Sequence, residues 1–199
     1  MTVDIGLTGN IASGKSMVAS IMRELGAGVV DADLIGKQVL AANIDGSLDK
    51  VRAAFGDQLF EGGQLNRHAL GNLVFSNSSL LEQLNSITVP VMTRLVAQQM
   101  DALHATFDVV VLDAAILIEA GWQELVDEVW VVRASKNEQL QRLMTRDHLP
   151  FGEAMSRIEA QMPLKSKLSR ADVVIDNTTD IEATRRQVEA LWKTRLQNR

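Results

Sequence analysis

Hydrophobic positions along this chain alternate between short apolar runs and stretches with helical spacing. Asp4-Ile5-Gly6-Leu7-Thr8 predicts a strand. Val18, Ile21, Met22 and Leu25 then recur at i, i+3, i+4 and i+7, which predicts a helix from about Gly14 that Gly26 stops. Gly28-Val29-Val30-Asp31 predicts a second strand, and Ile35, Val39 and Ala42 mark a helix from near Asp33. From Asp45 to about Thr106 the strand signal vanishes. Leu48, Val51 and Phe55, then Leu70, Leu73 and Val74, then Leu80, Leu84 and Ile87 predict successive helices, with Gly56 and Glu61-Gly62-Gly63 as punctuation. Pro90 is predicted to start or kink the next helix.

Strand signals return at Asp108-Val109-Val110-Val111-Leu112-Asp113, an apolar run suited to a strand covered on both faces. Glu128-Val129-Trp130-Val131-Val132 is another. Helices are predicted over Lys136–Arg146 and around Phe151–Leu168. Val173-Val174-Ile175 is the last strand, and Asp180 caps a closing helix with Ile181, Val188, Leu191 and Leu196. Strand–helix alternation predicts an α/β fold with a parallel sheet. Residues 1–44 and 106–199 are expected to form the sheet core, with an inserted helical domain over 45–105.

Composition narrows the classes. A length of 199 residues, 46% hydrophobic and 23% charged, suits a globular domain with a small insertion. A net charge of -5 argues against broad nucleic-acid or anionic-membrane binding. No apolar stretch approaches the roughly 18 residues of a membrane span, and no signal peptide is visible. Cysteine is absent, which removes disulfides, thiol nucleophiles and cysteine metal sites and suits a reducing cytoplasm. His68, His104 and His148 have no ligand-like spacing.

The first strand runs into Gly9-Asn10-Ile11-Ala12-Ser13-Gly14-Lys15-Ser16, a complete G-x-x-x-x-G-K-[ST] loop. Phosphates need backbone N–H donors that side chains do not obstruct, and the following helix adds its positive end. Lys15 supplies a cation for the β/γ-phosphates and the Ser16 hydroxyl is placed for Mg²⁺. A chance match in a chain this long has a probability on the order of one in a hundred. The strand-loop-helix context supports nucleoside triphosphate binding over that chance.

Asp31 and Asp33 sit just past the second strand, at the carboxyl edge where open α/β sheets place ligands. At i, i+2 one carboxylate can face a metal shell, here Asp31, while Asp33 takes the proton of an acceptor hydroxyl. Capping of the next helix is an equal alternative from spacing alone. Arg142 and Arg146 share a helix face, with Leu140, Leu143 and Met144 expected to be buried on the other side. They read as a lid, about 137–168, neutralising charge on a transferred phosphoryl group. The alternative is a solvated helix with an Arg146–Asp147 or Glu138–Arg142 pair. Arg157, Lys165, Lys167 and Arg170 make this the densest positive region of the chain. Asp113 ends the apolar strand like a Walker-B acid, but Ala114 and Ala115 follow it, without the glutamate of many ATP-hydrolysing motors. No N/T-K-x-D guanine motif is present. Another small-metabolite or nucleoside monophosphate kinase could use the same parts.

These motifs together resemble the dephospho-coenzyme A kinase family over nearly the full length. The Gly9–Ser16 loop is similar to its Gly-rich start, and Asp31-Ala32-Asp33 to its D-x-D segment. Ile116-Leu117-Ile118-Glu119 resembles its P-L-L-x-E segment, and Arg142–Asp147 the start of its lid. Gln161-Met162-Pro163, Lys167, Ala171-Asp172 and Ile175-Asp176-Asn177 resemble its Q-x-P…K…A-D-x-V-I-x-N tail. The resemblance implies a P-loop kinase core, an inserted helical substrate domain and a helical lid. It implies ATP with Mg²⁺ as donor, the ribose 3′-hydroxyl of dephospho-coenzyme A as acceptor, and Asp33 as base. It also implies nucleotide contacts along Gly9–Met17, with Asn177 near the base. Asn10, Ala12 and Met17 depart from the family's usual Gly, Gly and Thr. Lys37 stands for Arg, Val89 for the His of His-Pro, and Ala115 for the Pro of P-L-L.

Overall fold

The structure is a computed structural model describing residues 2–195. Leu196, assigned by periodicity to the closing helix, lies outside the described residues. Strand β1 (Val3–Gly9) leads through the glycine-rich loop into α1 (Lys15–Glu24), β2 (Gly28–Asp31) and α2 (Ala32–Ala41). Helix α3 (Ser47–Phe55), a hairpin of β3 (Phe60–Glu61) and β4 (Gln64–Leu65), and helices α4 (Arg67–Phe75) and α5 (Ser78–His104) follow. The chain continues through β5 (Val109–Asp113), β6 (Glu128–Arg133), α6 (Lys136–Arg146), α7 (Phe151–Glu159), α8 (Leu164–Leu168), β7 (Val173–Asp176) and α9 (Ile181–Arg195).

Five strands form a parallel sheet in the order β2-β5-β1-β6-β7. From β1 the chain passes to β2 and β5 on one side, then crosses to β6 and β7 on the other. The carboxyl end of β1 is therefore the switch point at which open α/β sheets bind ligands. Val109–Leu112 of β5 and Val129–Val132 of β6 are buried throughout, as a strand covered on both faces requires. Ile5, Leu7, Val111, Trp130, Val132 and Ile175 of the sheet meet Val18, Ile21 and Met22 of α1 and Val188 and Trp192 of α9 in one core. Helix α1 ends where Gly26 turns to φ 106°, a conformation open to glycine at little cost.

Contacts divide the chain into two compact units. One is the sheet unit, comprising residues up to Asp31 together with those from Ala97 onward; the other is helical, Ala32–Val96. These limits lie earlier than the 45 and 105 read from the strand signal. Leu40 of α2 packs with Val51, Phe55, Leu59, Leu70 and Val74, so the helical unit starts as soon as β2 ends. Its other limit falls inside α5, which is continuous over 27 residues and carries Pro90 within it. Pro90 thus neither starts nor ends a helix. The helical unit also holds the β3–β4 hairpin, turning at Gly62-Gly63, each at positive φ. Two-residue strands are too short to leave an alternating pattern, which is why the sequence shows only the turn. Residues 151–168 form two helices, because Pro163 starts α8 anew.

Candidate active site

The loop Gly9–Ser16 wraps the carboxyl end of β1 in a shape the rest of the sheet unit enforces. Gly14 lies at φ 98°, and a Cβ there would fall 2.0 Å from Asn177 Nδ2. Only glycine fits both constraints. A Cβ on Gly9 would come within 2.6 Å of both Ser13 Oγ and the Val132 carbonyl oxygen. Ala12 adopts φ 58°, so the left-handed bend exists here despite a side chain. Its methyl packs against the Leu143, Ala154 and Ile158 cluster, contact a glycine would lack.

The distant tail motif builds this loop. Ile11 N–H donates to Gln161 Oε1 at 2.7 Å, and Asn10 Nδ2 donates to the Met162 carbonyl at 3.1 Å. Asn177 Nδ2 donates to the Ser13 carbonyl at 2.7 Å, while its Oδ1 accepts from Thr184 Oγ1 at 2.9 Å. The side chain of Asn10, in place of the family's glycine, is thus a tether between loop and tail. Sequence reasoning placed Asn177 near a base but did not see Gln161 as a support.

Lys15 opens α1 and its ammonium sits 2.5 Å from Asp113 Oδ1 at the end of β5. Register places Asp31 of β2 directly opposite Asp113, so two carboxylates edge the sheet beside the loop. The Ser16 side chain, in the first turn of α1, is exposed. Serine hydroxyl and one or two carboxylates are hard oxygen donors of the kind Mg²⁺ takes alongside phosphates and water. Among the described residues no group of three or more His, Cys, Asp or Glu could hold a metal by itself.

Asp33 lies inside the first turn of α2, which begins at Ala32, so it does not cap that helix from outside. Its side chain is exposed, while Ala32, Ile35 and Val39 take the buried face. Helix α6 starts at a capping box in which Ser135 Oγ accepts from Glu138 N–H and Glu138 accepts from Ser135 N–H. Those bonds hold the Glu138 carboxyl below its ordinary range, with Arg142 a lesser contributor. Arg142 is half-buried. It donates from Nη1 to the Ala12 carbonyl and from Nη2 to the Asn177 carbonyl, each at 3.0 Å. Arg146, one turn on, is exposed and forms a two-pronged pair with Asp147 at 2.7 and 2.8 Å. That bond raises the Arg146 guanidinium and lowers the Asp147 carboxyl. Of the apolar stripe on α6, Leu143 is buried against Ala154 and Ile158 of α7 with Leu140 packed beside it, whereas Met144 is exposed.

The positive region splits on inspection. Lys167, 1% exposed, is enclosed by Glu119 at 2.8 Å and the Ala115 carbonyl at 2.8 Å, within 3.5 Å of Thr8 Oγ1. It fastens the segment after β5 to β1 through the Ala115 carbonyl, so the alanine in place of proline leaves the contact intact. Arg157 pairs with Glu153 at 2.7 Å. Between α6, the loop and α9 lies a cavity of about 370 Å³, lined chiefly by Ala12, Gly14, Met17, Arg142, Asn177 and Ile181. This mostly apolar cavity meets the loop at Gly14, one residue before Lys15 and its partner Asp113.

The chain matches the family model described as Dephospho-CoA kinase over residues 3–183. It is 45% identical over 194 residues to the dephospho-CoA kinase of Carboxydothermus hydrogenoformans, covering 95% of this chain and 94% of the relative. Among solved structures it is similar to TT1252 from Thermus thermophilus, with TM-score 0.80 and 33% identity over 96% of this chain and 97% of that one. It is also similar to the dephospho-CoA kinase of Campylobacter jejuni, with TM-score 0.69 and 28% identity over 97% and 96%. With the loop, its tail supports and the carboxylate edge in place, this chain belongs to the dephospho-CoA kinase family.

Proposed function

We propose that this kinase transfers the γ-phosphoryl group of ATP to the ribose 3′-hydroxyl of dephospho-coenzyme A, yielding coenzyme A and ADP. The observation that carries the reading is the Gly9–Ser16 cradle with Lys15 and the Asp31/Asp113 edge at the switch point of the sheet. Loop amides and Lys15 hold the phosphates. Ser16 and Asp31, with Asp113 beside them, would hold Mg²⁺, which supplies charge neutralisation across the phosphate oxygens. Asp33 accepts the 3′-hydroxyl proton as that oxygen bonds to phosphorus and the bridging oxygen leaves with ADP. Arg142 contributes its charge from a fixed position on the loop. Arg146, exposed and tied only to its neighbour Asp147 in the bonds described, is the lid cation able to swing toward the transferred group. The adenine occupies the cavity bounded by Met17, Arg142 and Asn177, and the helical unit holds the pantetheine-bearing acceptor.

Neither nucleic acid nor a membrane is needed by this chemistry. No described helix is long and apolar enough to cross a membrane. A cysteine-free enzyme of a soluble cofactor pathway suits the cytoplasm. Mass detection of one added phosphate on dephospho-coenzyme A, with ATP and Mg²⁺, tests the reading. ATP hydrolysis without a phosphorylated product would sink it.

A further inference from the structure

We propose that the cavity beside Gly14 selects its nucleobase by shape and stacking rather than by edge-specific hydrogen bonds, so the enzyme also accepts guanine and hypoxanthine triphosphates as phosphoryl donors. The inference rests on the reading above that the base of the donor sits in this cavity.

Adenine offers a donor amine beside an acceptor ring nitrogen, and guanine reverses that order. Telling them apart requires a polar group fixed as donor or as acceptor at the base edge. Here the amide of the lining is already committed, and the two guanidiniums offer only N–H donors, which adenine and guanine alike can meet at the N7 acceptor. The Asn177 amide gives Nδ2 to the Ser13 carbonyl and its Oδ1 to the Thr184 hydroxyl. Arg142 spends Nη1 and Nη2 on the Ala12 and Asn177 carbonyls. Arg146 directs Nε and Nη2 to Asp147.

Two backbone groups beside the cavity are engaged as well. The Gly14 carbonyl accepts from the N–H groups of Met17 and Val18, and Asn177 N–H donates to the Arg133 carbonyl. What the lining adds in polar side chains is the hydroxyls of Thr145 and Thr179. A hydroxyl rotates to donate or to accept, so it meets either purine edge equally.

The remaining surface suits a flat aromatic ring of any edge chemistry. Met17 stands where the family usually has a hydroxyl-bearing Thr, and presents a polarizable thioether. The Arg142 guanidinium is a plane on which rings stack. Thr179 and Ile181 at the rim are exposed, Ile181 to 61%, so no closed wall excludes an additional exocyclic group. Sites that read a substrate through dedicated hydrogen bonds reject the wrong one by about 10⁴–10⁵-fold. Apolar sites achieve roughly 10–200-fold.

The test measures kcat/KM for ATP, GTP and ITP with saturating dephospho-coenzyme A and Mg²⁺, identifying the phosphorylated product by mass. GTP and ITP are expected within about 100-fold of ATP. Efficient transfer from ATP with a penalty for both others approaching 10⁴-fold would leave the kinase reading intact and overturn this one. Transfer from none of the three removes the reading on which the inference rests. Met17→Ala adds a second measure: KM for ATP and GTP should rise severalfold by the same factor, as loss of a shared stacking wall requires. A tenfold change in the ATP-to-GTP ratio would show edge-specific reading through that wall and overturn the proposal.

Discussion

The ammonium of Lys15 and the carboxylate of Asp113 lie 2.5 Å apart, joining the first residue of α1 to the last residue of β5, and both side chains are nearly buried. Each charge would be costly to enclose alone. The arrangement also sets Lys15 between two anions once a triphosphate enters the loop, since Asp113 and the phosphates compete for one cation.

Removing one partner should therefore cost stability as well as binding. Lys15→Ala takes the cation away from a nearly buried carboxylate, worth about 3 kcal/mol, which lowers Tm by roughly 6–12 °C in a chain of this size. Adding Asp113→Ala should restore at least half of that loss while ATP affinity stays poor. Calorimetry on both variants checks it. A double variant no more stable than Lys15→Ala alone would mean the pair is not what holds the two elements together.

Gly14→Ala tests the loop's shape. The new methyl would sit 2.0 Å from Asn177 Nδ2 at a φ of 98°, so Asn177 must leave the Ser13 carbonyl or the loop must move. Strain at such a φ costs on the order of 1–3 kcal/mol, and a broken buried hydrogen bond adds about 1–3 kcal/mol. Nucleotide titration should show affinity reduced by at least about tenfold, with Tm lowered. Unchanged affinity would show that the loop tolerates a Cβ where the geometry denies it.

The sequence displayed the sheet unit well because its signals are local. Val109–Asp113 and Val129–Val132 read as covered strands, and the loop motif with Val18, Ile21 and Met22 named the first turn of the site. Contacts across long separations were illegible. Nothing in the spacing says that Gln161 will accept from Ile11 N–H, or that Lys167 will be buried against Glu119 rather than line a phosphate site. Arg142 and Arg146 look equivalent at i, i+4, yet one is bound into the loop and the other is exposed. The difference arises from where Ala12 and Asn177 place their carbonyls. The division into two units by contacts differs from the strand signal for a related reason. Strand signals end at Asp31 and resume at 108, but packing, not strand propensity, decides to which unit α2 and α5 contribute.

Stability should fall on the acid side. Asp176 is held below its ordinary range first by the Arg133 hydrogen bond and then by Thr178, against the opposing effect of burial. Glu138 and Asp147 are shifted the same way, by Ser135 and Arg146. A carboxyl with a lower folded value takes up its proton later on folding than when unfolded. Its contribution is thus complete above about pH 4, the ordinary carboxyl range, and is lost as pH falls through the lower folded value. Tm should be flat from pH 7 to about 5 and decline below about 4. Asp176→Asn should make that decline shallower. Because these pairs are largely exposed, 0.5 M salt should shrink the difference between variant and parent. An equally steep acid decline in Asp176→Asn at low salt would remove this pair from the account.

Asp33 offers the sharpest separation of chemistry from structure. Its side chain is exposed on the first turn of α2, directly after the strand whose last residue, Asp31, lies opposite Asp113. An exposed, isosteric change there should move stability by no more than about 0.5 kcal/mol. Asp33→Asn keeps the size and polarity of the side chain but cannot take a proton from the acceptor hydroxyl. General-base catalysis contributes about 10²–10⁴-fold, so kcat should fall by at least about 100-fold while ATP titration and Tm match the parent. A rise in KM for dephospho-coenzyme A with kcat preserved would make Asp33 a binding residue and not the base. Turnover near that of the parent would leave the proton without an acceptor among the groups proposed, and the base would have to be sought elsewhere along the carboxyl edge of the sheet.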